Sequence, residues 1–460
     1  MRSTVLPGVS DTIVAQATAG ARSALAVIRV SGPDAHVIGS TLLSPWHATP
    51  RRAFLASLRS PDDGRVIDQA IVTIFSAPAS FTGEDMLELS LHGGEIGPSL
   101  AMNALLSCGA RQALPGEFTR RALLNGKLDL LQAEAVADLV DSRSRAMHDV
   151  ALGQLAGHLS ARLEALRTQI IELEALLAYD VDFPEEDDGP VPAADIAEAA
   201  GNILATIDTL LATSTTGEMV RSGATVVIAG EPNAGKSSLF NALAGTQRAI
   251  VTDVPGTTRD ALEAMMDIGP WPVRLVDTAG LRASADIIER LGIEVAERYL
   301  KDAAIVLVCG DDARSITRAI EHVRPLTTAA MLVVRTKSDI GQPPESPTLD
   351  EKRTSISVSA RTGDGLSALM ERITEALNRE HDPASATTPV LTRERHRVAL
   401  ASARGEIAAF IQSYASESGL PATVAAVHLH SARSFLEELV GVVDTEEVLD
   451  RVFSAFCVGK

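Results

Sequence analysis

Cysteine is scarce in this chain. Cys108, Cys309 and Cys457 are the only three in 460 residues. An odd number at unrelated spacings excludes a disulfide framework and offers no zinc pattern. A reducing, cytoplasmic compartment is the natural expectation. No apolar run is long enough to span a bilayer. The N-terminus lacks the apolar core of a signal peptide, and Asp11 comes early. Positive charge is also short: 41 Lys and Arg against 60 Asp and Glu leave a formal net charge of −19. That disfavours a general polyanion binder, so a nucleic-acid partner needs a local basic surface or a second protein. The ordinary reading of the charge is solubility. A dinucleotide-binding glycine fingerprint is missing. The last four residues, Cys457-Val458-Gly459-Lys460, make a poor prenylation box without a polybasic segment before them.

Apolar residues make up 46% of the chain, and its length suggests about three domains. Residues 1–118 read as mixed α and β. Thr12–Ala17, Ala24–Val30, Val66–Phe75 and Met86–Leu91 are strand-like, and Glu95–Ser107 is a helix after the Gly93-Gly94 break. Turns are expected at Gly32-Pro33, Pro61 to Gly64 and Pro78. Residues 119–216 are helical. Leu128, Leu131, Ala135, Val136 and Leu139 recur at helical spacing, as do Leu163, Leu166, Ile170, Leu173 and Leu177. The acidic run Asp180 to Asp188 is a connector of solvated charge, and a helix follows over Ala193–Ala212. Residues 217–380 alternate strands (Thr225–Ala229, Val273–Val276, Ala304–Cys309, Met331–Arg335) with amphipathic helices, the pattern of a doubly wound α/β domain. Residues 381–460 return to helices over Arg393–Ala415, Pro421–Val443 and Thr445–Phe456. The fold class is therefore multidomain α/β, with an α/β domain inserted into a helical domain built from both flanks.

The most informative stretch is Gly230-Glu231-Pro232-Asn233-Ala234-Gly235-Lys236-Ser237. It follows a buried strand and opens a helix, which is the context of a phosphate-cradling loop. Its glycines let backbone N–H groups face phosphate oxygens, and the helix N-terminus adds positive partial charge. Lys236 would reach the β- and γ-phosphates and Ser237 would ligate Mg²⁺, with Ser238 next in the turn. Downstream, Asp253 to Asp260 contains Thr257 and Thr258; a threonine there can meet both Mg²⁺ and the γ-phosphate. Asp277-Thr278-Ala279-Gly280 follows a strand. Asp277 would hold Mg²⁺ through water, and the Gly280 N–H would sense the γ-phosphate. In Thr336-Lys337-Ser338-Asp339 the carboxylate can accept the N1–H and N2–H₂ pair of guanine, which adenine lacks. Ser359-Ala360-Arg361 can offer a backbone N–H to the guanine O6. In this order, each after a strand, the motifs look like a translation-factor-class GTPase domain. Thr336 departs from the usual Asn and can replace part of its bridging role. Leu281 stands where Ras-like GTPases carry the water-orienting glutamine. Asn233 could instead ligate a monovalent cation beside the phosphates, and Glu289 could orient the water; alone, Glu289 reads equally as a solvated helix carboxylate.

The whole chain resembles the tRNA modification GTPase family called MnmE or TrmE. The resemblance rests on Asp11 to Thr18, Ser80 to Asp85 with His92-Gly93-Gly94, Pro115 to Ala122, Asn125 to Leu130, and Phe453 to Lys460. The Cys-x-Gly-Lys ending is its most discriminating part. It implies a folate-binding, dimerising N-terminal domain, a central helical domain and an inserted GTPase domain with K⁺-stimulated hydrolysis. By position, Asn233, Thr252, Val254 and Thr257 match the potassium site, Ser237 and Thr258 the Mg²⁺ ligands, and Glu289 the glutamate that supports hydrolysis. Arg29, Glu88, Lys127 and Lys460 fall where the family binds 5-formyltetrahydrofolate or a related tetrahydrofolate; without the resemblance each reads as surface charge.

The function so implied is formation of a 5-carboxymethylaminomethyl-type uridine at the tRNA wobble position. The folate gives the one-carbon unit, and the flavoprotein MnmG (GidA) shares the chemistry. The expected partners are a second copy of the chain, MnmG and tRNA, with no membrane. The alternative is a regulatory GTPase switch in ribosome assembly or translation, which predicts no folate affinity.

Overall fold

The computed structural model describes residues 11–182, 192–246, 250–251, 262–277, 296–340, 355–380, 390–415 and 422–441, with 453, 456 and 459. The chain divides into two compact units, one of residues 1–137 with 437–460 and one of residues 138–436.

The first unit is built on β1 (Ile13–Gln16), β2 (Leu25–Ser31), α1 (Ala35–Leu42), β3 (Leu43–Ser44), β4 (Ala53–Arg59), β5 (Val66–Phe75), β6 (Met86–His92), α2 (Ile96–Ser107), β7 (Arg111–Gln112), α3 (Glu117–Leu124) and the start of α4 (Leu130–Asp141). Its sheet runs β3-β4-β5-β6-β2-β1-β7. Successive side chains of a strand face opposite sides. Val72 and Ile74, Leu87 and Leu89, and Ile28 and Val30 therefore point together into a core closed by Ile38 and Leu42 of α1 and Ala101 and Leu105 of α2. The residues between them, Thr73, Glu88 and Arg29, are cross-strand partners and form a polar row on the other face. The expected turn at Pro61–Gly64 joins β4 to β5, closed by Ser60 N–H donating to Arg65 O at 2.9 Å. Strand β4 itself was not expected: Ala53–Arg59 has no β-branched residue, and pairing with β5 makes it a strand. Phe453 and Phe456 pack on Leu130 and Ala133, which anchors this part of the C-terminal segment to the unit.

The second unit opens with helices α5 (Arg145–Leu155), α6 (His158–Asp182), α7 (Ala193–Ala212) and α8 (Ser214–Ser222). The helical stretch expected over residues 119–216 is thus divided into several helices. Gly126 and Gly157 turn the chain with positive φ, and the Ser144 hydroxyl caps α5 by accepting from Met147 N–H at 3.0 Å. Leu163, Leu166, Ile170, Leu173 and Leu177 are all buried along α6, as their spacing requires. Next come β8 (Ala224–Gly230), α9 (Lys236–Thr246), β9 (Ile250–Val251), β10 (Leu262–Ile268), β11 (Trp271–Asp277), β12 (Ile305–Gly310), α10 (Ala313–Val323), β13 (Ala330–Arg335), β14 (Ile356–Ser357) and α11 (Leu366–Glu380).

This second sheet runs β14-β13-β12-β8-β11-β10-β9. Strands β14, β13, β12, β8 and β11 are parallel, and β10 joins β11 antiparallel. The fully buried run of β8 is what a parallel strand covered on both faces demands. Strand β10, Leu-Glu-Ala-Met-Met-Asp-Ile, carries good helix formers and has no strand signature; its partner β11 holds it extended. The buried Trp271 donates its indole N–H to Asn378 Oδ1 at 2.7 Å and ties β11 to α11. Helices α12 (Glu394–Ala415) and α13 (Ala422–Val440) complete the described part. Gln154 of α5 donates to Val390 O at 3.1 Å and Arg393 pairs with Asp138 at 2.7 Å, so chain from both sides of the α/β sheet meets in the helical part of this unit. The helix expected over Thr445–Phe456 lies almost wholly outside the described residues.

Candidate functional site

The C-terminal ends of parallel strands are where an open α/β sheet leaves a crevice for ligands. In the second unit those ends carry Gly230 (β8), Asp277 (β11), Cys309 and Gly310 (β12), the Thr336 that follows β13, and the Ser359 that follows β14. The sequence-expected phosphate loop spans the gap from β8 to α9. Asn233 at φ 64° and Gly235 at φ 79° turn it sharply. Gly230 is required by close approach, since a Cβ there would stand 2.4 Å from Cys309 O.

Lys236 is buried and folds back over the loop, donating to Gly230 O at 3.0 Å and Glu231 O at 2.8 Å. A cation ringed by backbone carbonyls at the start of a helix is the arrangement that an incoming anion can take over. Ser237 and Ser238 are exposed in the first turn of α9, and Asn233 is exposed at the loop tip, while Ala234 is buried. Asp277 is fully buried beside β8, in register with Ile228.

The guanine-type motif closes the other side. Thr336, 4% exposed, donates its hydroxyl to Ala234 O at 2.7 Å and so bridges β13 to the phosphate loop. Lys337 has φ 57° and pairs with Asp311 at 3.0 Å, and this bond holds the Asp311 carboxyl below its usual range. Asp339 accepts from Ser359 Oγ at 2.8 Å and pairs with Arg361 at 2.9 Å. The Ser359 bond first, then Arg361 among smaller causes, keeps it ionised below the ordinary carboxylate range. Ala360 lies half-buried between the two. The structure therefore brings together Asn233, Ala234, Gly235, Lys236, Ser237, Asp277, Thr336, Asp339, Ser359 and Arg361. Thr252, Val254, Thr257, Thr258, Thr278, Ala279, Gly280 and Glu289 lie outside the described residues. Among the described residues no cluster of three His, Cys, Asp or Glu could hold a metal.

In the first unit, Arg29 donates Nε–H to Glu88 Oε1 at 2.9 Å across β2 and β6, both side chains about a third exposed. Lys127 donates to Pro78 O at 3.1 Å. Gly459 sits over the end of β1, where a Cβ would be 2.6 Å from Gln16 O, while Ala15 is the strand partner of Arg29. Lys460 and Cys457 lie outside the described residues.

A network of charged residues that no spacing singles out adjoins this face at Ser31. Arg121 has a side chain only 3% exposed and donates to Asp11 O and Asp11 Oδ1, each at 2.7 Å, to Glu117 at 3.0 Å and to Glu84 at 3.2 Å. Arg111 bonds Asp11 and Glu117 again, at 2.7 Å each. Glu84 accepts from Ser31 Oγ at 2.7 Å, two residues beyond Arg29 on β2. The Arg111 bond first, with Arg121, holds Asp11 below its usual pKa against burial. Burial alone would raise Glu117; Arg111, the Leu114 amide and Arg121 outweigh it, and it too is lowered. Asp11 and Arg121 are 110 residues apart in sequence, so no spacing rule finds them. Their one signal is that Asp11, Glu84, Glu117 and Arg121 all sit in segments that carry the family resemblance.

Two family models match the chain. Residues 130–457 match the family model of the MnmE helical domain, and residues 12–127 match that of the GTP-binding protein TrmE N-terminus. The chain is 40% identical over 453 residues to a tRNA modification GTPase MnmE of Akkermansia muciniphila, covering 98% of this chain and 99% of that one. It is 41% identical over 460 residues to the protein of that name in Methylobacterium radiotolerans, covering 98% and 99%. Among solved structures, the G domain of the T. maritima FeoB iron transporter overlaps 33% of this chain and 98% of its own at 26% identity; at a TM-score of 0.26 that overlap adds nothing to the assignment.

Proposed function

Because the chain belongs to the MnmE family of tRNA modification GTPases, we propose that it binds and hydrolyses GTP at the strand ends of its second unit, in the service of modifying tRNA. The observation that carries the nucleotide part is the convergence of Lys236, Asp277, Thr336 and Asp339 on one edge of the parallel sheet. Asp339, ionised and already accepting from Ser359, takes the N1–H and N2–H₂ of guanine once Arg361 swings off. Lys236 exchanges the neutral carbonyl acceptors of Gly230 and Glu231 for the charged oxygens of the β- and γ-phosphates, so that both partners of the contact are then ionised.

Hard cations take oxygen ligands, and the exposed Ser237 hydroxyl and Asn233 amide suit them. Ser237 and Thr258 would hold Mg²⁺, and Asn233, Thr252, Val254 and Thr257 would hold K⁺. Bound there, the two cations supply positive charge against the charge that develops on the γ-phosphoryl group. Glu289 orients the water, whose oxygen bonds to the γ-phosphorus as the bridging oxygen leaves with its electron pair on GDP and the water's proton passes to an oxygen of the released phosphate.

For the first unit we read the Arg29–Glu88 pair with Lys127 and Lys460 as a tetrahydrofolate site. The carboxylate suits the donors of a pterin ring, and the cations suit a glutamate tail. The folate then supplies the one-carbon unit for a 5-carboxymethylaminomethyl-type uridine at the wobble position, made with the flavoprotein MnmG by a homodimer of this chain in the cytoplasm. The domains on this reading run 1–118 for folate and dimerisation, 119–216 and 381–460 for the helical domain, and 217–380 for the GTPase.

The test is GTP turnover by the full chain in K⁺ against Na⁺ buffer, with Asn233→Ala and Glu289→Ala alongside. Strong K⁺ dependence that disappears in Asn233→Ala supports the reading. Equal rates in both salts remove the cation from the mechanism, and no turnover in either salt overturns the GTPase assignment.

A further inference from the structure

We propose that Thr336 sets how this protein reads its purine: the base is recognised through its pyrimidine edge alone, and its N7 receives no hydrogen bond from the side chain at 336. The inference rests on the guanine-binding reading above and adds a specificity to it. A threonine hydroxyl carries one hydrogen. In Thr336 that hydrogen is spent on Ala234 O at 2.7 Å, inside a contact only 4% exposed. The side chain is also buried, and rotating the hydroxyl toward the base would give up the bridge to Ala234 O. Asp339 lies three residues on, past the left-handed Lys337, with Ser359 fixing one of its oxygens.

With the N1–H and N2–H₂ edge on Asp339, the imidazole edge of the base turns back towards the phosphate loop, the side that Thr336 already serves. N7 is an acceptor and needs a donor. An asparagine amide has two hydrogens, one for Ala234 O and one to spare. Threonine has none left. The bridge between strand and phosphate loop is kept here, and the contact to the base is given up.

The experiment is competition of GTP and of 7-deaza-GTP against a fluorescent GDP analogue on the full chain, wild type and Thr336→Asn. In 7-deaza-GTP a C–H replaces N7, and the pyrimidine edge is unchanged. Wild type is expected to bind the two within about twofold, since no neutral hydrogen bond separates them, and Thr336→Asn to prefer GTP by about two- to tenfold. A wild-type preference for GTP of about fivefold or more overturns the inference and leaves the GTPase reading standing. Binding of neither nucleotide overturns the GTPase reading, and the inference with it. The wild-type comparison stands without the variant, and a folded Thr336→Asn that fails to separate the two nucleotides removes Thr336 as the deciding residue.

Discussion

Truncating Arg121 tests how the first unit holds its polar face. Its guanidinium is almost fully enclosed and satisfies Asp11, Glu117 and Glu84, whose side chains are 34%, 11% and 15% exposed. Arg121→Ala leaves three carboxylates around the single remaining cation of Arg111. Breaking a buried ion pair from one side costs about 3–5 kcal/mol. Water reaches the Asp11 side of the network and screens it, so the expectation is the lower end, about 3 kcal/mol. Arg111→Ala is the control: its side chain is 27% exposed and both its partners keep Arg121, so about 1–2 kcal/mol is expected.

The assay is hydrogen exchange with peptide resolution on the full chain, reading the β2 and β6 amides separately from the second unit. The pH dependence has a fixed sign. Asp11 and Glu117 have lowered pKa values in the folded state. The stability they contribute is therefore present above the ordinary carboxylate range near 4 and lost as pH falls through their depressed values. The gap between wild type and Arg121→Ala should shrink from pH 7 to pH 3. A loss below about 1 kcal/mol at pH 7, a larger loss in Arg111→Ala, or a gap that widens in acid would refute the reasoning.

Two further outcomes are expected. Asp339→Asn loses the carboxylate that faces the guanine donors and should weaken GTP binding at least about tenfold, while xanthosine triphosphate, with a carbonyl in place of the amino group, improves relative to GTP; titration with both nucleotides checks this. Burial pushes the Cys309 thiol up to about 12, with Asp277 adding to the effect and Lys236 opposing it, so at pH 9 it should resist iodoacetamide until the chain unfolds; quantifying alkylation of the Cys309 peptide by mass spectrometry with and without urea decides.

Which parts of this molecule could be read from the sequence follows from where the information sits. The parallel strands β8 and β12 were legible because burial on both faces writes an apolar run into each, and β13 because Met331–Val334 is apolar throughout although only Val333 and Val334 are buried. The phosphate loop was legible because its glycines, lysine and serine are contiguous. Helix α6 was legible because Leu163, Leu166, Ile170, Leu173 and Leu177 must all reach one core. Strands β4 and β10 were not, because their residues do not prefer extended backbone and only their partners hold them so. Thr336 stood between the cases. Its hydroxyl was expected to bridge, but that the bond uses its only hydrogen depends on the distance to Ala234, 102 residues away.

The Asp11–Arg121 network shows the limit most plainly. Asp11, Glu84, Arg111, Glu117 and Arg121 are ordinary surface charges by composition, and an acidic chain has many of them. They meet because β1 and β2 pair, β7 adds to β1, and α3 follows directly. Those same elements hold Ser31 two residues from Arg29 and carry the chain from Arg121 on to Lys127. A polar site on an open sheet face needs side chains fixed to within a hydrogen bond, and a core on the opposite face does not fix them. Here a buried cluster of charge beside the site does, which makes Arg121 a residue whose loss should disturb the first unit's polar face.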